Sequence, residues 1–499
     1  MSTVHVAVVG AGPAGIYASD ILSKSGLDVS IDLFERLPAP YGLVRYGVAP
    51  DHPRIKQIIT ALYRILQRGD IQLLGNVEVG RDITIDDLRD HYDAIIIASG
   101  ADRDAPLNIP GINLPESYGA ADFVSWYDGH PDYPREWPLN AREIAVIGVG
   151  NVALDVARVL AKHAEDMLVT EIPENVAKTL AENPVTDVHV FGRRGPAQVK
   201  FTPLELRELG HVPDVDIIVS EEDFEFDEGS EDQLRSSNQQ RQVVKTLTAY
   251  ASADPEEHVA SRRIHIHLFQ SPIEIVPDDK GHVRALRTER MELVGDGTVR
   301  GTGVMTTWPV QAVYRAVGYY SSPIPGMPFD TVRGIIPNDE GRVRETSDPD
   351  SATIDGLYAT GWIKRGPVGL IGSTKSDAQQ TITHLVEDAQ AGRLRARGTS
   401  VGHEAIVKLL EERNIEYTTW DGWELLDEYE QSLGASYGDL PGDRGSRERI
   451  KVVSRRAMTD ISRGQQVDPA QTDLIGRMGE MGVPSAPERF DDYTGPQSH

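Results

Sequence analysis

Short apolar runs and stretches with helical spacing alternate along the first ~100 residues of this chain. VHVAVVG reads as a buried strand, and apolar positions then recur at helical spacing from about Pro13 to Lys24. VSIDLFE reads as a second strand, Ile55 to Gln67 as a helix, and YDAIIIASG as a third strand ending in a glycine turn. Continuous apolar runs separated by helices signal strands buried on both faces. The alternation therefore predicts a parallel sheet covered by helices.

A loop rich in Pro, Gly and Asn follows, from Ala101 to Ser117. The pattern restarts at Glu143 with a strand, a helix over Asn151–His163, an acidic helical stretch over Glu171–Glu182, and the strand VHVFG. RRIHIHLFQSPIEIVP and GHVRALRTERMELV then read as hairpin-like runs. Near Val317–Tyr319 the pattern changes again. GLYATGWIKRGPVGLIG reads as strand, glycine turn, loop, and a second glycine turn into a helix from about Thr374 to Gly392. That looks like a return of the chain to its first unit, with the second unit inserted into it.

Each unit opens on the same glycine pattern. The first is Gly10-x-Gly12-Pro13-Ala14-Gly15, and the second is Gly148-x-Gly150-Asn151-Val152-Ala153. Each follows a strand and begins a helix, the context in which glycines let a backbone approach a pyrophosphate at a helix N-terminus. The next strand differs between them. After the first pattern it ends in Glu35, a carboxylate suited to a free ribose 2′-hydroxyl; after the second it runs into Arg193-Arg194, suited to a 2′-phosphate. The first site thus reads as binding an ADP-ribose moiety such as that of FAD, and the second as binding NADP. The fold class expected is α/β, with two Rossmann-like three-layer domains and the NADP domain inserted into the FAD domain. The expected boundaries are 1–103 and 321–463 for the FAD domain, including a charged helical region from Arg393. The NADP domain spans 104–320, and a mobile tail 464–499.

Composition narrows the chemistry. The chain has 499 residues, enough for two or three domains, and no cysteine. A redox disulfide, a thiolate metal site and an iron–sulfur cluster held by this chain are therefore excluded, and no metal ligands are expected. Electrons that enter as hydride must leave to a separate carrier. The formal net charge of −27 argues against nonspecific nucleic-acid binding. The densest acidic run, EEDFEFDEGSED at 221–232, reads as a solvated loop. No apolar run is long enough to span a membrane and a strand begins by Val4, so a cytoplasmic location is expected.

Three further segments are candidates for chemistry. PAPYGLVRYGVAPDHPRIK, just after Glu35, is a long irregular loop at a cofactor strand and contains His52. In GWIKRGPVGLIG, Trp362 offers a flat face for a ring, and the glycines leave amides free to reach a ligand. In FTPLELRELG, Glu205 and Glu208 are three apart on one helix face, either solvated or closing over the nicotinamide half of NADP.

AGPAGIYASDIL, PYGLVRYGVAPDHP, GVGNVALDVARVL, FGRRGPAQVKFTPLELREL and ATGWIKRGPVGLIG stand in order at suitable spacing. Together they closely resemble the adrenodoxin-reductase-type ferredoxin–NADP reductases, bacterial members included, over about Val4 to Arg456. The resemblance implies FAD held by Gly12 to Gly15, Glu35, Leu43, Val77, Trp362 and the backbone of Gly369, Leu370 and Ile371. It implies NADP held by Asn151 to Ala153, Arg193, Arg194, Glu205 and Gly369. It places His52 and Glu208 beside flavin and nicotinamide as catalytic residues, and an iron–sulfur ferredoxin as partner. Because the chain is acidic, docking an acidic ferredoxin needs a local basic patch; Arg235, Arg241 and Lys245 are candidates, as are Arg262 and Arg263. Two other classes stay open. One is an electron-input subunit like the small subunit of glutamate synthase, whose N-terminal Cys-rich region this chain lacks. The other is a flavin-binding interaction protein without turnover.

Overall fold

The computed structural model describes residues 3–368, 371–395, 401–440 and 445–467. Its first sheet has seven strands, in the order Asn338–Asp339, Arg342–Arg344, Thr353–Ala359, Ala94–Ile97, Val4–Val9, Val29–Phe34, Ile71–Leu74. The last five run parallel, and the first two form an antiparallel edge. Alternation along the central strand explains the layering. Val6 and Val8 pack with Ile16, Leu22, Leu62, Ile382 and Leu385 on one face. Ala7 and Val9 pack with Leu88, Ile363, Ile406 and Leu410 on the other. With a side-chain period of two, a strand apolar at every position must be covered on both sides.

The chain leaves this sheet after Ile97 and returns to it at Asn338. Between them lies a second, all-parallel sheet in the order Ser117–Gly119, Ala312–Arg315, Glu143–Ile147, Asp187–Phe191, Arg262–His267, Val215–Val219. The two crossings between domains, Arg103–Asp104 and Tyr319–Tyr320, pair with each other as a short antiparallel ribbon. The second sheet is covered differently from the first. Val188, Val190, Ile264 and Ile266 face helices, but Ala145, Ile147 and Phe191 face an antiparallel three-stranded sheet formed by Gln270–Pro277, Val283–Leu293 and Val299–Pro309.

Several local expectations change. RRIHIHLFQSPIEIVP is not a hairpin. Arg262–His267 joins the parallel sheet, the chain turns at Phe269 (φ 54°), and Gln270–Pro277 pairs instead with Val283–Leu293. GHVRALRTERMELV is one long strand, not a hairpin. The acidic run 221–232 is not a loop: it contains a short 3-10 turn and the start of the helix Glu228–Ser236, and its Asp223 is buried in an ion pair with Arg290 (2.5 Å). The strand Ile71–Leu74, only four residues long, was not anticipated. The helix expected over Ile55–Gln67 is two pieces, Pro53–Lys56 and Ile58–Leu66. Most of the expected tail, 468–499, lies outside the described residues. Among the described residues no helix is long and apolar enough to cross a membrane.

Candidate active site

The first glycine turn assigns a different task to each glycine. Gly10 has φ 110°, and a Cβ there would lie 2.5 Å from the Ala98 oxygen, so the tight turn requires glycine. At Gly15 a Cβ would lie 1.9 Å from the Gly10 oxygen, which locks helix Pro13–Ser23 against its strand. Gly12 caps that helix, and its nearest neighbour is Gly42, 3.9 Å from an ideal Cβ. Two bare backbones thus leave a cradle at a helix N-terminus, the arrangement that receives a pyrophosphate. Glu35, at the end of the next strand, is buried. Its Oε2 accepts the Ala11 amide at 2.9 Å and its Oε1 the Leu37 amide at 3.1 Å. Burial raises its pKa, partly offset by these amides, and each oxygen keeps a second lone pair for a ribose hydroxyl.

A cavity of about 440 Å³ extends from this turn. Gly10, Gly12, Pro13, Ala14, Glu35, Leu43, Val77 and Trp362 all line it. Gly361 (φ 77°) brings the Trp362 loop back onto the first helix: a Cβ there would lie 2.7 Å from the Ala14 Cβ. Its amide is held by Asp377 Oδ2 at 2.6 Å. Gly369 and Leu370 lie outside the described residues, as does the side chain of Ile371, whose backbone begins the helix Ile371–Gln390. The cavity also reaches Val152, on the first turn of the second fingerprint helix, and Tyr319, whose ring lies 5.7 Å from that of Trp362. Tyr319, in the interdomain ribbon, carried no signal in the sequence.

The second turn repeats the design with more open space. Gly148 (φ 142°) faces the Ala316 oxygen, 2.2 Å from an ideal Cβ, whereas Gly150 has nothing within 4 Å. Ala153 is fully buried where the first turn has Gly15. Asn151 Oδ1 accepts the Thr202 amide (2.8 Å), tying this turn to the segment that leads into helix Pro203–Leu209. Gly192 packs against Val149, 2.4 Å from an ideal Cβ to Cγ1, so the strand end carrying the arginines lies against the glycine turn. Arg193 and Arg194 are exposed, and among the described residues their side chains make no hydrogen bond or ion pair.

His52 joins the two domains. It stands in the first domain's loop, buried, and its side chain meets polar groups of the second. Nε2 donates to Asp155 Oδ1 (2.8 Å), and Nδ1 lies 3.1 Å from Glu208 Oε2. Glu205 Oε2 is 2.7 Å from the same Nε2, but one N–H cannot serve both acids well, and this buried oxygen has no aligned donor. Arg158 Nη2 lies 2.7 Å from Nε2, while its hydrogens go to Asp51 (2.9 Å) and Asp155 (2.9 Å). Burial disfavours the imidazolium, yet the adjacent carboxylates of Asp155 and Glu205 outweigh it and raise the His52 pKa to about 10. Burial likewise opposes ionisation of Asp51, and Arg158 overrides it, holding this carboxyl far below the usual range. Asp51, Asp155 and Arg158 were missed from sequence. The available signal was Asp155 and Arg158, three apart on a helix that had to be buried.

The expected docking bases are distributed differently. Arg235 is paired with Asp232 at 2.7 Å, and Arg241 donates to the Leu234 and Arg235 carbonyls. Lys245 is exposed with no ion pair among the described residues. Arg262 is engaged by the Ala161, Lys162 and Asn183 carbonyls, and Arg263 lies near Asp187 (3.5 Å), so this pair braces the fold.

Known proteins share this arrangement across most of the chain. NADPH-ferredoxin reductase FprA of Mycobacterium tuberculosis is 36% identical over 477 residues, covering 93% of this chain and all of that protein. The chain belongs to the adrenodoxin-reductase-type ferredoxin–NADP reductases. The human mitochondrial NADPH:adrenodoxin oxidoreductase is 38% identical over 449 residues, 87% of this chain and 89% of that protein. The solved structure of the mycobacterial FprA in complex with NADPH superposes with a TM-score of 0.82 at 35% identity, covering 93% of this chain and 100% of that one. A family model for pyridine nucleotide-disulphide oxidoreductases matches residues 4–188. With no cysteine, this chain has the nucleotide-binding frame of that family without its disulfide.

Proposed function

We propose that this chain is an FAD-dependent NADPH–ferredoxin reductase, which carries electrons between NADPH and a separate iron–sulfur protein. One observation carries the reading: a single cavity runs from the first glycine turn and Glu35 to Val152, at the head of the second fingerprint helix. Two nucleotides anchored at the two turns thus meet end to end. FAD held there would supply the chemistry of hydride acceptance and single-electron release.

The residues present fit that cofactor and its partner nucleotide. The Gly12–Gly42 cradle, Pro13, Ala14 and Gly15 receive the FAD pyrophosphate, Glu35 the ribose, and Leu43, Val77 and Trp362 wall the ring. Gly150 to Ala153 receive the NADP pyrophosphate, and the exposed Arg193 and Arg194 its 2′-phosphate. His52 is a positioning residue: by binding Asp155 and Glu208 it holds the second domain's helices against the first. Glu205, with an oxygen lacking a donor, is poised to accept from the nicotinamide amide. Docking of an acidic ferredoxin is assigned to the face bearing Arg235, Arg241 and Lys245, where Arg241 and Lys245 make no ion pair among the described residues. A cytoplasmic location is part of the proposal, and cell fractionation checks it.

The test is direct. The purified protein should carry a flavin spectrum, bleach with NADPH, and regain colour when oxidised ferredoxin is added. A colourless protein sinks the reading. A flavin that NADPH bleaches but ferredoxin cannot reoxidise would favour a subunit of a larger complex.

A further inference from the structure

On the second sheet, one face carries three histidines that the nucleotide chemistry does not use. His189 lies in register opposite His265 on the neighbouring strand, and His267 follows two residues on, so all three project from the same side. That side faces the three-stranded sheet, where Ala145, Ile147 and Phe191 form apolar core with Ile275 and Leu286. The histidines interrupt it. Trp308 covers His267 with ring centroids 4.3 Å apart, and all three side chains are half-buried.

The orientation of the rings is the informative part. His265 Nε2 lies 2.8 Å from Asp187 Oδ1, and His189 Nε2 lies 3.5 Å from Glu143 Oε2. A carboxylate thus stands beside Nε2 of each ring, hydrogen-bonded at His265 and more distant at His189. His189 Nδ1 and His267 Nε2 approach to 3.0 Å. One ligating nitrogen from each ring falls within 4.8 Å of the others. A carboxylate behind an imidazole, fixing its tautomer and raising its basicity, is the usual second layer of a histidine metal site.

We propose that His189, His265 and His267 form a binding site for a borderline divalent transition ion of the Zn²⁺ class, with Asp187 and Glu143 orienting two of the ligands. Three neutral imidazoles suit such an ion and leave a fourth position for water. The rings now stack within 15° of parallel, so the ion would replace the His189–His267 hydrogen bond and splay the rings. A second triad within ligating distance, His52 with Glu205 and Glu208, is the weaker candidate. Its imidazole donates both protons to carboxylates, and it belongs to the interdomain junction.

The experiment uses the full FAD-loaded chain, stripped with chelator, dialysed against Zn²⁺ and analysed for metal, with X-ray absorption to identify the ligands. Wild type should retain about one zinc per chain, with nitrogen ligands at about 2.0–2.1 Å. His265→Gln with His267→Gln should lose it while keeping flavin content and NADPH-driven bleaching. Asp187→Asn, a milder change, should weaken affinity roughly 10–100-fold. Wild type that retains no zinc, or a double variant that retains as much as wild type, would overturn the proposal.

Discussion

The two glycine turns are built from nearly the same letters but differ in how finished they are without a ligand. At the first, Glu35 is buried and both its oxygens accept backbone amides, and it lines a cavity of about 440 Å³. At the second, among the described residues, Gly150 faces open space and the two guanidinium groups beside it are exposed and unpaired. A site that satisfies its own acid and encloses its ligand suits a cofactor that stays. One that leaves two charges waiting in solvent suits a nucleotide that arrives and departs each cycle. The difference lies less in the fingerprints than in what the next strand end delivers.

The sharpest way to break this comparison is to add one methyl group to each turn. Gly15→Ala places a Cβ on the Gly10 oxygen, and we expect loss of bound flavin with a destabilisation of about 1–3 kcal/mol or more, read from the visible spectrum and a urea midpoint. Gly150→Ala, at the position of Gly12 because Ala153 already stands where the first turn has Gly15, meets nothing within 4 Å among the described residues and should keep its flavin and its stability, while NADPH binds more weakly. Flavin lost from both, or from neither, would erase the distinction.

Next in size is the arginine pair. Charge-assisted hydrogen bonds contribute about 1.5–3 kcal/mol each, so Arg193→Ala with Arg194→Ala should lower kcat/KM for NADPH about 100-fold or more and leave NADH unchanged. Smaller is Glu35→Ala, which leaves the Ala11 and Leu37 amides without their acceptor. It should weaken FAD retention by about 1–3 kcal/mol, measured by flavin release on dilution.

The junction should respond to pH. The folded-state pKa of His52 lies above its ordinary value of about 6.5, so its stabilising charge is fully present below that pH. It declines as pH rises and is gone above about 10. The gap in urea midpoint between wild type and His52→Gln should therefore narrow across that window. A gap that widens with pH would reverse the assignment of charge.

What was legible in the sequence was local. The glycines, Glu35 and Arg193-Arg194 each lie within one strand–turn–helix unit, where spacing alone dictates position. Contacts made by strand order were not legible. His189 and His265 meet because two strands separated by 75 residues or so lie side by side, and nothing local in RRIHIHLF announces its parallel partner. The same holds for the junction. His52 stood out as a residue in a long loop, but its partners Asp155 and Arg158 looked like ordinary helix charges until the domains were placed together. EEDFEFDEGSED read as solvent-exposed because its composition is polar, and the burial of Asp223 by Arg290 depends on a strand more than 60 residues away.

The central claim is that the first turn holds the flavin and the second reads NADP for delivery to an iron–sulfur carrier. The most direct test is the rate of ferredoxin reduction with NADPH and with NADH, in wild type and in the double Arg193→Ala, Arg194→Ala variant. The account predicts strong preference for NADPH in wild type and its collapse in the variant, with flavin content and the NADH rate intact. An equal preference for both nucleotides in wild type, or a preference that survives removal of both arginines, would contradict it.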